Sequence, residues 1–100
     1  MNNNCLGMVR QWQNLFYEER YSQTTLDRPT DYVKLAEAFG AKAFRITKVE
    51  EIDDVLRKAL DSDGPVLIDY LINSDKKVFP MVAPGAPINQ IISEEDINNN

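Results

Sequence analysis

Apolar and polar positions follow different periods along the chain, and each period predicts an element. Between Leu6 and Tyr17 large apolar side chains fall at positions 6, 9, 12 and 16, with Met8 and Leu15 widening the stripe. That spacing predicts a helix. Asn2, Asn3 and Asn4 precede it, and asparagine side chains accept hydrogen bonds from the orphan N–H groups of a first helical turn. Gly7 costs roughly 1 kcal/mol against alanine inside a helix, so its presence predicts a close approach to the backbone. Residues 18–30 are polar and read as a connection, with Pro29 suited to a helix start. Helical spacing returns from Asp31 to Phe39, with Tyr32, Leu35, Ala36 and Phe39 on one face and Gly40 as the stop.

The period then changes. AFRIT, residues 43–47, is a short strand. Thr47 and Glu50 stand at capping-box spacing and open a helix over Val49–Leu60. Its buried side is expected to be Ile52, Val55, Leu56, Ala59 and Leu60, and Asp63-Gly64-Pro65 ends it. PVLIDYLI, residues 65–72, is a nearly continuous run of strand formers, the pattern of a strand covered on both faces in a parallel sheet. Strand, helix and strand at this spacing make a βαβ unit with a right-handed crossover, so the fold class is α/β. Residues 78–92 form an arm, extended and irregular where Pro80, Pro84 and Pro87 fall, with Ile88, Ile91 and Ile92 predicted to pack as a last turn. Residues 93–100 read as a frayed polar tail.

Two strands are too few for a comfortable independent sheet. The first helix is apolar over a wide arc. The expectation is therefore that residues 1–92 are the C-terminal portion of something larger, with Met1 either internal or a start inside a longer reading frame. The alternative is closure by oligomerisation.

Composition mainly excludes. The chain has 100 residues, 43% hydrophobic and 27% charged, which argues against disorder throughout. A net charge of −5 without a cationic cluster argues against nucleic-acid partners and against an anionic membrane surface. No apolar run reaches the ~20 residues of a membrane span. Cys5 has no partner for an internal disulfide, which fits a reducing compartment. With no histidine, no His-based triad, His–Cys dyad or ordinary zinc site can be built.

On the residues alone, the candidate chemistry stays open. Asn2, Asn3 and Asn4 read as a cap or polar turn, or as oxygen ligands of a hard cation that lacks an adjacent carboxylate. Cys5 beside a helix start is a candidate nucleophile, but no base accompanies it. Met8 and Trp12 read as core. Glu50, Glu51, Asp53 and Asp54 read as a solvated face, and no Gly-rich phosphate loop is present.

NN-x-x-LGMVRQWQ-x-LFYEERYS, then DYVKLAEAFGAKAFRIT, VLRKAL-x-SDGPVLIDY and VFPMVAPGA, occur in the order found in acetohydroxyacid synthase (acetolactate synthase) large subunits. The chain resembles that family over residues 2–92. The resemblance implies a partial three-layer α/β thiamine diphosphate-binding fold: helix, helix, a βαβ unit with parallel strands, then the arm. It implies thiamine diphosphate bound through Mg²⁺ by a motif that opens with GDG and closes with NN. Only the closing half is here. By resemblance, Asn3 offers its side-chain oxygen and Cys5 its backbone carbonyl to the metal. Asn2 shapes the turn, and Gly7 and Met8 lie against the cofactor. Trp12 faces the substrate channel where herbicides of this class bind, and the arm covers its entrance.

The implied activity joins two 2-ketoacids, pyruvate with pyruvate or 2-ketobutyrate, with release of CO₂ in branched-chain amino-acid biosynthesis. The catalytic glutamate and the FAD-binding domain of that family lie outside this segment, so no catalytic residue is expected within it and the isolated chain is expected to be inactive. Implied partners are the rest of the catalytic subunit in a homo-oligomer, the 2-ketoacids and a regulatory subunit. The expected compartment is the cytoplasm, any transit peptide lying upstream of these residues. Three other readings stay open at this point: a sister thiamine enzyme such as a pyruvate oxidase, a small non-catalytic α/β interaction module, and a degenerate gene remnant with no role of its own.

Overall fold

A computed structural model describes residues 1–28 and 30–98 of the chain. Pro29, read as a helix start, and the last two residues of the tail lie outside the described residues. Helix α1 spans Gly7–Phe16, close to the spacing in the sequence. Its N-cap is Leu6, with no side-chain cap, so the asparagines do not start this helix. Helix α2, Tyr32–Ala38, is capped as its sequence suggests: Oδ1 of Asp31 accepts from the N–H groups of Val33 and Lys34 at 3.1 and 3.4 Å. Gly40, at φ +80°, supplies the left-handed residue that ends it.

Strand β1, Lys42–Ile46, pairs in parallel with strand β2, Val66–Tyr70, from Lys42 opposite Val66 to Ile46 opposite Tyr70. A 3₁₀ turn at Val49–Glu51 leads into helix α3, Ile52–Leu60, which crosses between the strands. This is the expected βαβ unit. Its start is shifted by one residue from the expected box. Oε2 of Glu51, not Glu50, accepts from the backbone of Thr47 and Lys48, at 2.9 and 3.1 Å. Those backbone donors hold the Glu51 carboxyl below its ordinary value. Of the side expected to be buried, Val55 is buried and Ile52 and Ala59 are half-buried. Leu56 and Leu60 are exposed.

Beyond β2 the arm is more regular than its prolines suggest. Strand β3, Met81–Val82, pairs antiparallel with strand β4, Ile91–Ile92, so Ile91 and Ile92 close a hairpin instead of a helical turn, and Ile88 stays exposed. Residues 94–98 of the expected tail form a short helix α4, Glu94–Asn98. Ser93 opens it, its N–H and hydroxyl both donating to Oδ2 of Asp96 at 2.7 and 2.6 Å.

Packing leaves much of the chain uncovered. The radius of gyration is 17.5 Å, where a compact domain of this length has about 13 Å. The accessible surface is 7842 Å² at 11.4 kDa, against roughly 5,800 Å² for a globular monomer of that mass. About 2,000 Å² more surface is therefore open than a self-contained fold of this size leaves. Met8, Val9, Trp12 and Phe16 on α1 are part of it. Among the described residues no helix is long and apolar enough to cross a membrane.

Candidate functional site

In open parallel sheets ligands gather beyond the carboxyl ends of the strands. Here the asparagine turn stands at that edge. The Asn2 backbone continues the sheet on the far side of β2: its N–H donates to the Tyr70 carbonyl at 2.7 Å, and its carbonyl accepts from Ile72 at 3.0 Å. Two overlapping Asx turns follow. Oδ1 of Asn2 accepts from the Asn4 N–H at 3.1 Å, and Oδ1 of Asn3 from the Cys5 N–H at 3.3 Å. Asn4 sits at φ +51°, a left-handed conformation that asparagine tolerates. The asparagines are thus turn formers, and the local chemistry that favours them is side chain to backbone two residues on.

Beyond the turn, Cys5 pairs with Thr25 in an isolated antiparallel bridge. Its buried thiol meets the Ser74 carbonyl at 3.6 Å. Asn2, Asn3, Cys5 and Asp69 line one recess of about 320 Å³, with Leu67 and Ile68 of β2 on the same wall. Gly7 stands beside it on α1. A Cβ at Gly7 would lie 2.8 Å from Nδ2 of Asn3, so the close approach foreseen at this glycine is made by the Asn3 side chain.

Helix α1 has two different sides. Gln11 is its buried residue, only 4% exposed. Oε1 of Gln11 accepts from the Val78 N–H at 2.7 Å, and its Nε2 donates to the Val78 carbonyl at 2.9 Å. This side-chain amide pairs with one residue of the arm as a strand neighbour would. Arg10 adds two bonds to Oδ1 of Asp75, at 2.9 and 2.7 Å, and lies 4.0 Å over the Tyr21 ring. The Asp75 bond and charge raise the Arg10 guanidinium above its ordinary value. The opposite side is open. Met8, Val9, Trp12, Gln13, Tyr17 and Arg20 line an apolar depression of about 590 Å³. Trp12 meets Phe16 edge to face, ring centres 5.9 Å apart. So the expected residues divide: Asn2, Asn3 and Cys5 share the recess, Gly7 borders it, and Met8 and Trp12 share the outer depression. Met8 and Trp12, read on residues alone as core, are exposed.

The recess carries oxygen donors of the kind a hard cation takes, the Asn3 amide and the backbone carbonyl of Cys5, two residues apart in the chain. These fit Mg²⁺ as the neutral part of a ligand set. Among the described residues, no group of three His, Cys, Asp or Glu side chains could hold a metal. The Asn3 and Cys5 oxygens carry no charge, so tight Mg²⁺ binding needs an anionic ligand beside them.

Sequence reasoning did not single out Asp69. It is 5% exposed, and its carboxylate accepts from Nδ2 of Asn2 at 2.9 Å and from Nε of Arg45 at 3.0 Å. Nη2 of Arg45 also donates to Oδ1 of Asp31 at 2.7 Å, which holds the Asp31 carboxyl below its ordinary value. A signal existed: one carboxylate inside the run PVLIDYLI had to be paired if that strand was buried. Gln11 carried no comparable signal.

Parallel βαβ architecture, with a polar turn at the carboxyl edge of its strands, makes this an α/β domain of the open parallel-sheet class. Residues 1–70 match the family described as thiamine pyrophosphate enzyme, C-terminal TPP binding domain, and the chain belongs to that family. Within it, the chain is similar to acetolactate synthases. It is 49% identical over 96 residues to acetolactate synthase of Mycobacterium avium, covering 91% of this chain and 16% of that protein. It is 43% identical over 94 residues to the acetolactate synthase isozyme 2 large subunit of Escherichia coli (strain K12), covering 94% of this chain and 17% of that protein. The large subunit from Corynebacterium glutamicum is 47% identical over 91 residues, covering 86% of this chain and 14% of that protein. The chain thus spans about one sixth of the length of the curated relatives it matches.

Proposed function

We propose that this chain forms the cofactor-closing part of an acetolactate synthase large subunit. The enzyme joins two 2-ketoacids, pyruvate with pyruvate or 2-ketobutyrate, with release of CO₂, in branched-chain amino-acid biosynthesis. The observation that carries the reading is the double Asx turn at the carboxyl edge of the parallel strands, in a chain whose family binds thiamine pyrophosphate.

When bound, thiamine diphosphate supplies the electron sink for decarboxylation and carbon–carbon bond formation. The chain's own residues hold and orient. Asn3, through Oδ1, and Cys5, through its carbonyl, hold Mg²⁺. Asn2 shapes the turn. Gly7 and Met8 lie against the cofactor. Trp12 narrows the channel that admits the second 2-ketoacid and the herbicides of this enzyme class. Residues 78–92 fold over the entrance, rooted on α1 by Gln11. FAD binds outside this segment. The partners are the rest of the catalytic subunit in a homo-oligomer and a regulatory subunit, in the cytoplasm.

The test is a chimera in which this chain replaces the matching segment of the Escherichia coli isozyme 2 large subunit. The chimera is expected to form acetolactate and to require both Mg²⁺ and thiamine diphosphate. Asn3→Ala within it is expected to raise the Mg²⁺ requirement. A correctly folded chimera without activity, or an Asn3→Ala variant with an unchanged Mg²⁺ requirement, would overturn the assignment.

A further inference from the structure

We propose that Asp69 is a positioning residue for the metal-side turn: through Asn2 it sets the orientation of the whole Asn2–Asn4 loop, and it is not itself a ligand. The proposal rests on the Mg²⁺ reading above for its purpose, and on hydrogen-bond chemistry for its content.

A carboxylate only accepts, whereas an asparagine amide has one end that donates and one that accepts. Oδ1 of Asp69 therefore selects the Nδ2 end of Asn2, at 2.9 Å. That choice leaves Oδ1 of Asn2 facing the Asn4 N–H, at 3.1 Å. Turned over, the Asn2 amide would set donor against donor at Asn4. Asn3 lies between these two pinned neighbours, so the direction of its side chain follows from theirs. Oδ2 of Asp69 is engaged by Nε of Arg45 at 3.0 Å, and Arg45 continues to Asp31, the cap of α2. The chain Asn2–Asp69–Arg45–Asp31 ties the turn to β1, β2 and α2. Both carboxylate oxygens are occupied and 95% of the residue is out of contact with water. Asp69 thus commits one oxygen to the turn, through Asn2, and one to Arg45.

The experiment uses the full 100-residue chain and reads amide hydrogen exchange by NMR in three forms: unsubstituted, Asp69→Asn, and Asp69→Asn with Arg45→Gln. An asparagine at position 69 cannot accept from both Asn2 and Arg45. Its exchange at the Asn4 and Cys5 N–H groups is expected to rise at least about tenfold, with the β1–β2 ladder amides unchanged. Glutamine at 45 offers an acceptor to the new amide and a donor to Asp31, which frees the oxygen of residue 69 for Asn2. The double variant is expected to return both turn amides close to the unsubstituted rates. Unchanged turn exchange in Asp69→Asn would overturn the proposal. Loss of the ladder amides in both variants would overturn it too, because Asp69 would then support the strands rather than the turn. This readout needs no metal, so it is independent of the Mg²⁺ requirement measured in the chimera.

Discussion

Replacing Gly7 with alanine separates stability from function. An alanine Cβ would stand 2.8 Å from Nδ2 of Asn3 and 3.9 Å from its Cγ. The first distance is too short for carbon and nitrogen, so the Asn3 amide has to turn away. Two effects on folding then oppose each other. Alanine gains up to about 1 kcal/mol of helix propensity over glycine at the start of α1. Turning Asn3 breaks its 3.3 Å bond from the Cys5 N–H, a long bond worth about 0.5–1 kcal/mol. The net change in stability is expected within about 0.5 kcal/mol of zero. Metal binding has no such offset, because Oδ1 lies on the same amide plane and moves with Nδ2. In the chimera, Gly7→Ala is expected to raise the Mg²⁺ concentration for half-maximal activity about tenfold, equivalent to ~1.4 kcal/mol of ligand affinity. The assay is Mg²⁺ titration of acetolactate formation, beside far-UV circular dichroism and a urea midpoint. An unchanged Mg²⁺ requirement would refute the reasoning, and so would a stability loss above ~2 kcal/mol, which would make Gly7 a folding residue.

Gln11→Leu removes two bonds to Val78, together worth about 1–3 kcal/mol, so hydrogen exchange at the Val78 N–H should rise roughly 5- to 150-fold; equal protection would show that the arm is held by other contacts. Trp12→Leu in the chimera should shift the ratio of pyruvate to 2-ketobutyrate products and weaken herbicide inhibition, and unchanged ratios and inhibition would mean that the indole only packs. The isolated chain should show no micromolar binding of thiamine diphosphate with Mg²⁺ by titration calorimetry, since it offers neutral ligands alone; micromolar binding would contradict that. The hydrogen bond from Arg45, then the backbone N–H of Lys34, hold Asp31 below its ordinary 3.8. A lowered carboxylate stabilises the fold above its unfolded value, and that contribution is lost as pH falls through the folded one. Helicity by circular dichroism should therefore fall in acid below 3.8, and Asp31→Asn should remove that part of the titration; an identical acid limb in the variant would show that Asp31 does not govern it.

Periodicity found the main elements because burial is what it measures. Within the βαβ unit Ile46 and Val55 are buried as the spacing requires, whereas on α2 Ala36 is buried but Tyr32, Leu35 and Phe39 are exposed, and the α1 stripe stays open. The errors arose where two local solutions fit one sequence. Asn2–Asn4 can cap a helix or turn on themselves, and pairing of Asn2 with β2 decided for the turn. Glu50 and Glu51 both stand near capping distance, and the backbone of Thr47 and Lys48 reached Glu51. Leu56 and Leu60 lie on the apolar side of α3 but are exposed, because nothing in this chain covers them. Trp12 is exposed for the same reason. In the candidate site, Asn2, Asn3 and Cys5 lie together because they are neighbours in the chain, whereas the Asp69–Arg45 support depends on a contact between residues far apart in it.

The outer edge of β2 carries a practical consequence. Among the described residues only Asn2 pairs there, opposite Leu71, so the backbone of Val66–Asp69 offers an open parallel edge. Such an edge is a seam that a separately expressed polypeptide can close. A companion chain ending in a strand that runs beside β2 should dock along Val66–Asp69 in co-expression and restore a working assembly, as the two pieces of a split enzyme do.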